Sequence, residues 1–244
     1  GEISGGLTFK AGAVDLSTYS SGAEELKAIA DYQGSAVIFS ESVTQIWYID
    51  PDPTLNRKTQ VLKNTGTFAP RSVTQFGDSD VFYLNESGLR SLRARDSSNS
   101  ASTTDIGNPV DELIVDVIAG LSVSQREEVI GLIEPRDGRF WLIVRDRAFV
   151  FSSFGGPKIC AWSTYNMADS NGDAFVVEDA LVFDRKVYLR AGNTIYAYGG
   201  TGDELQYDAT QAVMQVPYLD GDKPWQTKEL RGFVAGGQGM WKVY

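Results

Sequence analysis

AVIFSESVTQIWYI (36–49), VFYLNESGLRSL (81–92), FWLIVRDRAFVF (140–151) and VYLRAGNTIYAY (187–198) are four stretches built alike. In each, a short run of Val, Ile, Leu and aromatic residues meets a polar turn, and a second such run follows. That is the composition and punctuation of two antiparallel strands. With Glu41, Glu86, Asp146 and Ala191 as turn markers, the hairpins recur at intervals of 45, 60 and 45 residues. Two equal intervals and one longer by 15 describe a repeat with one insertion. A strand-based period of roughly 40–50 residues points to propeller blades rather than helical solenoids.

The unit is larger than a hairpin. KAIADY (27–32), RSVTQF (71–76), EVIGLIEP (128–135) and FVVEDALVF (175–183) each precede one of the four and end at a turn signal such as Gln33-Gly34 or Asp184-Arg185. That gives at least three strands per repeat, and TQVLK (59–63) supplies a fourth, more solvated outer strand. The fold class expected is all-β: a β-propeller of three- to four-stranded antiparallel blades over residues 1–208, with at least four blade repeats. The stretch 216–241 leaves the repeat, so residues 209–244 read as the start of a second β element or as propeller-closing strands. The chain starts at Gly1 without an initiator methionine and stops within the alternating stretch GFVAGGQGMWKVY, which gives the expectation that both ends are cut.

The longer middle interval has a visible cause. In DIGNPVDELIVDVIAGLS (105–122), Val110, Leu113, Ile114, Val117, Ile118 and Leu121 follow helical spacing and predict one inserted α-helix near residues 109–120. Asn108 suits the N-cap, Pro109 the first helical position, Asp111 and Glu112 the positive end of the dipole, and Gly120 the stop. The apolar stripe packs on the propeller rim or meets another subunit; in the second case Val110, Leu113, Ile114 and Val117 are the interface candidates.

Composition removes whole classes of chemistry. The 244 residues include no histidine, which excludes Ser-His-Asp and Cys-His nucleophile systems, His-ligated metals and imidazole acid–base work. The single cysteine, Cys160, excludes an internal disulfide framework and is expected in the core as a small hydrophobe. No apolar run reaches the roughly 18–20 residues that span a bilayer and no signal peptide is visible, so the expectation is a soluble chain with no membrane span.

What remains would rest on carboxylates and arginines. The pairs Glu24-Glu25, Asp111-Glu112 and Glu127-Glu128 are acid–base candidates in name only, because sequence neighbours do not converge on one substrate atom. DSNGD (169–173) places Asp169, Asn171 and Asp173 at alternating positions with a glycine, a weak calcium candidate whose distal acidic ligand is missing, since position 12 is Ala180. GLRSLRARD (88–96) concentrates Arg90, Arg93 and Arg95, and with Arg136, Arg139, Arg145 and Arg147 it could form an anion-binding patch. Strand alternation would send Arg93 and Arg95 to one face and Arg90 to the other, and the net charge of −10 opposes adhesion to nucleic acid. Internal ion pairs, or contacts with an acidic neighbouring subunit through Arg93 and Arg95, are the use expected. Neither a catalytic residue nor a cofactor is assigned.

The succession 31–53, 73–94, 105–114, 138–154 and 218–233 resembles the β-propeller region of tail-nozzle proteins of short-tailed bacteriophages, the group of tail tubular protein B and the packaged-DNA stabilisation (hub) proteins. The phrases QIWYIDPDP after a hairpin, and FYLNESGLRSL followed by DIGNPVD, carry that resemblance. It implies a virion tail component that forms a homo-oligomeric ring below the head–tail connector. Such a ring would retain and conduct DNA without sequence-specific binding and dock other tail proteins. The net charge of −10 reads either as walls that do not grip phosphates or as ordinary solubility charge. The alternative reading is a glycan-binding or glycan-hydrolysing propeller, in which Trp47, Trp141, Trp162 and Trp225 would stack on sugars.

Overall fold

The computed structural model describes residues 24–78, 80–93, 105–154 and 159–203, with the isolated residues 213, 225 and 227. The chain divides into two units, Gly1–Asp208 and Ala209–Tyr244. The elements described below all belong to the first.

These elements are mostly strands, arranged as four antiparallel sheets in chain order. Sheet 1 is β1 (Leu26–Tyr32), β2 (Ser35–Ser40), β3 (Val43–Tyr48) and β4 (Arg57–Lys63). Sheet 2 is β5 (Thr74–Phe76), β6 (Asp80–Asn85) and β7 (Gly88–Ser91). Two helices follow, α1 (Asp111–Ala119) and α2 (Val123–Glu127). Sheet 3 is β8 (Ile130–Glu134), β9 (Arg139–Val144), β10 (Arg147–Phe154) and β11 (Ile159–Asn166), and sheet 4 is β12 (Asp179–Phe183), β13 (Lys186–Ala191) and β14 (Thr194–Ala197). Within each sheet consecutive strands pair, so every sheet is an up-and-down meander.

Strand alternation explains how the sheets stack. Side chains of successive residues point to opposite faces. In β6, Phe82 and Leu84 join a core with Phe140, Leu142 and Phe149 of sheet 3, while Val81 and Tyr83 join another with Val37, Phe39 and Ile46 of sheet 1. In β9 the same alternation turns Phe140 and Leu142 toward sheet 2 and Trp141 and Ile143 toward Val187 and Leu189 of sheet 4. Sheets 2 and 3 are therefore covered on both faces, which is why VFYL and FWLIV read as unbroken apolar runs. An aromatic pair marks each junction: Phe39 with Tyr83 at 5.0 Å, Phe82 edge-on to Phe140 at 5.2 Å, and Trp141 edge-on to Tyr198 at 4.7 Å.

The turns hold the register. At Gln33-Gly34 (φ 54° and 76°) and at Asp184-Arg185 (47° and 60°), both central residues occupy the left-handed region that a two-residue hairpin following strand twist requires. Only Gly34 of the four adopts it without a side-chain penalty.

Three local expectations need correction. The inserted helix begins at Asp111 with Val110 as its N-cap, because residues 105–110 form a turn in which Asn108 donates to the Asp105 carbonyl. RSVTQF is strand only from Thr74, since Pro70–Ser72 is a 3₁₀ turn whose Ser72 hydroxyl accepts the Leu84 amide at 3.0 Å. Cys160 is exposed: it lies on β11, the outer strand of sheet 3. Strand β11 and helix α2 themselves were not anticipated; α2 opens on a capping box in which Ser122 and Gln125 exchange side-chain and backbone bonds.

Packing at the inner strands leaves no room at Gly131 of β8. A Cβ there would overlap the Thr74 hydroxyl and the Ser72 carbonyl, whereas one on Gly120 would meet only the Val117 carbonyl at an ordinary 3.6 Å. Gly131→Ala is expected to lower unfolding free energy by about 1–3 kcal/mol through overpacking, and Gly120→Ala to lower it little or not at all. Urea denaturation of the two variants against the parent checks both.

Candidate functional site: the Arg90 lock and the surfaces around it

The phrases NESGLRS and DIGNPVD are brought into contact. Asn85 opens the β6–β7 turn by accepting from the Ser87 amide at 3.0 Å and its hydroxyl at 2.8 Å. Gly88 follows at φ 122°, and a Cβ there would overlap the Asp111 carboxylate. That close approach lets Asp111 Oδ1 accept the Leu89 amide at 3.0 Å and Oδ2 accept Arg90 Nη1 at 2.6 Å. Arg90 Nη1 also donates to the Leu89 carbonyl, and Nη2 to the Ser87 carbonyl and hydroxyl. Asp105 Oδ1 accepts the amides of Ser91 at 2.8 Å and Ile106 at 2.9 Å, and its Oδ2 stands 4.0 Å from Arg90 Nε.

One guanidinium thus holds two carboxylates, all three side chains largely buried. Arginine suits the task because it stays charged and presents several donors in a fixed fork. Chemically the cluster is inert: an always-protonated guanidinium transfers no proton, and each carboxylate faces donors of its own chain. Its effect is mechanical, fixing the start of α1 against the end of sheet 2. Arg90 was grouped with a possible positive patch; the partners Asp105 and Asp111 were not foreseen, and the only signal was two acids flanking a turn in DIGNPVD.

The other candidates separate by burial. Val110 and Ile114 lie in the core between sheets 2 and 3 with Ile118, which removes them as interface residues; Val117 packs partly against that core, and Leu113 is exposed. Strand β7 ends at Ser91, so Arg93 does not continue its alternation; it is exposed, and its amide donates to Asp80. Arg95 lies outside the described residues. Arg139 pairs with Asp137 and donates to the Tyr165 hydroxyl, and Arg136 reaches the Asp203 carbonyl at 3.4 Å, so these two are tied to different partners rather than gathered with Arg90.

DSNGD is a hydrogen-bonded turn. Asp169 Oδ1 accepts the amides of Asn171 at 2.8 Å and Asp173 at 3.0 Å, and the Asp173 bond leads the causes that hold its carboxyl below its ordinary range. Asp169 Oδ1 is thus committed to the amides of its own turn, which also contains Asn171 and Asp173. Among the described residues, no three of Cys, Asp and Glu gather in a metal-holding group. Trp47 and Trp141 are buried, Trp162 is half-buried with Nε1 donating to the Ile106 carbonyl at 3.0 Å, and Trp225 is exposed.

The acidic pairs serve as fasteners. Glu24 accepts from the Ser42 hydroxyl and amide and from the Ser40 hydroxyl, and the Ser42 bonds in particular hold its carboxyl below the ordinary value of 4.5. Glu127 of α2 and Glu25 each meet Lys27 Nζ at 2.9 Å, and Glu127 leads in raising that ammonium's pKa. No helix among the described residues is long and apolar enough to cross a membrane.

No protein-family model matches the chain, and no curated protein matches it. Among solved structures it is similar to a 2S albumin seed protein from Dolichos, with 13% identity, 80% of this chain and 95% of the other covered and a TM-score of 0.32. It is likewise similar to the hemopexin fold protein CP4 from cow pea, with 9% identity, 72% and 86% covered and a TM-score of 0.30.

Two measurements check the lock and its neighbours. Arg90→Ala leaves the Asp111 and Asp105 carboxylates to their backbone donors without a balancing charge and is expected to cost about 3 kcal/mol, whereas Arg93→Ala stays within about 0.5 kcal/mol; denaturant titration decides. Glu24 has a depressed folded pKa, so its stabilising contribution is complete above pH 4.5 and is lost as pH falls below it toward the folded pKa. In Glu24→Gln the denaturation midpoint should accordingly fall less steeply on acidification than in the parent.

Proposed function

We propose that this chain is a structural protein, a β-propeller segment of the tail nozzle of a short-tailed bacteriophage. In this reading it works by protein–protein contact within a homo-oligomeric ring below the head–tail connector, docks other tail proteins, and lets DNA pass. The observation that supports the reading is that FYLNESGLRSL and the DIGNPVD that follows it, which with QIWYIDPDP carry the resemblance, act as one unit: Arg90 of the first is bonded to Asp111 of the second. Four meander sheets stacked in chain order support the propeller reading.

Electrostatics agree with a passage rather than a grip. Every phosphate neutralised by Lys or Arg adds to affinity, so a wall past which DNA slides does best without a basic track. The chain carries 32 acidic against 22 basic residues, and Arg90, Arg139 and Lys27 are engaged by carboxylates. The glycan reading loses two of its four stacking residues, because Trp47 and Trp141 are core side chains.

Electron microscopy of the protein within its intact particle tests the proposal. The expected image has the chain repeated around the tail axis beneath the connector, with the stacked sheets arrayed in a ring. Density for the chain only outside the tail, or hydrolysis of any member of a broad glycan panel by the purified protein, overturns it.

A further inference from the structure

The turn joining β12 to β13 carries a cost that the fold does not explain. A two-residue hairpin turn with both central residues left-handed favours glycine at its second position, and Gly34 fills that position at Gln33-Gly34. At Asp184-Arg185 it holds an arginine at φ 60°, a conformation that glycine alone adopts without strain. Such strain persists where a side chain is put to use, most often at ligand sites. Within the fold Arg185 has no use: it is exposed, and its guanidinium has neither a hydrogen-bond partner nor a carboxylate partner among the described residues. What Arg185 does line is a cleft of about 460 Å³, formed where the β8–β9 and β12–β13 turns come side by side, with Tyr198, Thr201 and Asp203 completing the wall. That volume suits a small molecule.

Part of the lining is occupied by the fold itself. Lys186 Nζ donates to the Gly200 carbonyl at 2.7 Å and to the Gly202 carbonyl, and Arg136 Nη1 donates to the Asp203 carbonyl at 3.4 Å, so both cations are tied to the wall. Both oxygens of the buried Glu134 carboxylate accept amides of their own turn, from Arg136 at 2.7 Å and Asp137 at 3.0 Å. Left over among the described residues are the Arg185 guanidinium, the Asp184 and Asp203 carboxylates and the Thr201 hydroxyl, while Tyr198, edge-on to Trp141 at 4.7 Å, supplies an aromatic surface. A guanidinium fork matches one carboxylate. Carboxylates and a hydroxyl match hydroxyl groups, and the carboxylates repel a multiply charged anion. We propose that the cleft binds an acidic sugar, with its carboxylate on Arg185 and its hydroxyls on Asp184, Asp203 and Thr201. Binding there calls for no hydrolysis, so the inference does not rest on the nozzle reading, and the failure of one leaves the other intact.

Isothermal titration calorimetry of the full chain at low ionic strength tests this, with glucuronic acid as the probe and glucose, inorganic phosphate and free glycine as comparisons. Glucuronic acid should bind, and glucose, which carries a hydroxymethyl group in place of the carboxylate, should bind roughly tenfold to hundredfold more weakly. Arg185→Gly should weaken the binding of glucuronic acid by the same factor. In the ligand-free protein the same substitution should raise the urea denaturation midpoint, because the left-handed penalty it removes exceeds the entropy that glycine adds to the unfolded chain. An arginine that served the fold would give the opposite shift. The proposal is overturned if glucuronic acid does not bind, if it binds no more tightly than glucose, or if its binding is unchanged in Arg185→Gly. Tighter binding of phosphate or of glycine also overturns it, marking a plain anion site or a zwitterion site, as does a lowered midpoint in Arg185→Gly.

Discussion

A stretch of strand covered on both faces has no side on which to leave a charge unpaired, and the middles of β6 and β9 live under that constraint. Each of Val81 to Leu84 and Phe140 to Val144 is buried, alternate residues going to different cores. Fully burying an aliphatic or aromatic side chain contributes roughly 1.5–3 kcal/mol, so these two strands alone supply a large part of the driving force. The same arrangement punishes error. A slip of one residue in β6 would send Phe82 toward sheet 1 and Tyr83 toward sheet 3, exchanging both contact sets at once. Tight left-handed turns such as Gln33-Gly34 and Asp184-Arg185 matter because they set registers that the cores can then read.

The Arg90 cluster answers a different need. Sheet 2 has three strands where sheets 1 and 3 have four, and its even face must still be closed beyond the edge of β7. Helix α1 contributes Ile114 and Ile118 to that core, and Asp111 at its first turn is the residue the guanidinium holds. Burying ions costs desolvation, and a well-packed apolar replacement can match or exceed such a cluster in stability. What the cluster adds is position: Asp111 meets both a backbone amide and the guanidinium, so the helix has one seat rather than several.

Legibility in the sequence followed the same physics. All four hairpins and the outer strand β4 were readable, because strongly apolar runs separated by polar turns are what two-faced and half-buried strands require. Strand β11, with Ala161, Ser163, Thr164 and Asn166, was not: an outer strand with little to bury loses its alternation, and Cys160 went with it to the surface. The helix stripe was visible but its use was not, since spacing shows which residues share a face and not which of them lie close enough to a core to be covered. Ile114 is covered and Leu113 is not. The lock was hidden because its partners lie 15 and 21 residues beyond Arg90, and nothing local announces a buried ion pair.

Ion pairs also link sheets that do not touch face to face, and their magnitude decides what they can do. Lys27 of sheet 1 reaches Glu127, just ahead of sheet 3, and Arg71, just ahead of sheet 2, reaches Asp179 and the Glu178 carbonyl at sheet 4. Both arginine-pair side chains are 40% exposed or more, so that clasp is a surface pair worth at most about 1 kcal/mol. Lys27, only 13% exposed, is better shielded, but its partner Glu127 is open to solvent. Three cores of aromatic and aliphatic side chains exceed these contributions many times over. The angle between successive sheets is therefore set by how Phe39 meets Tyr83, Phe82 meets Phe140 and Trp141 meets Tyr198, and the clasps only trim it. Because burial and not charge sets the angle, the stacking geometry should be insensitive to salt.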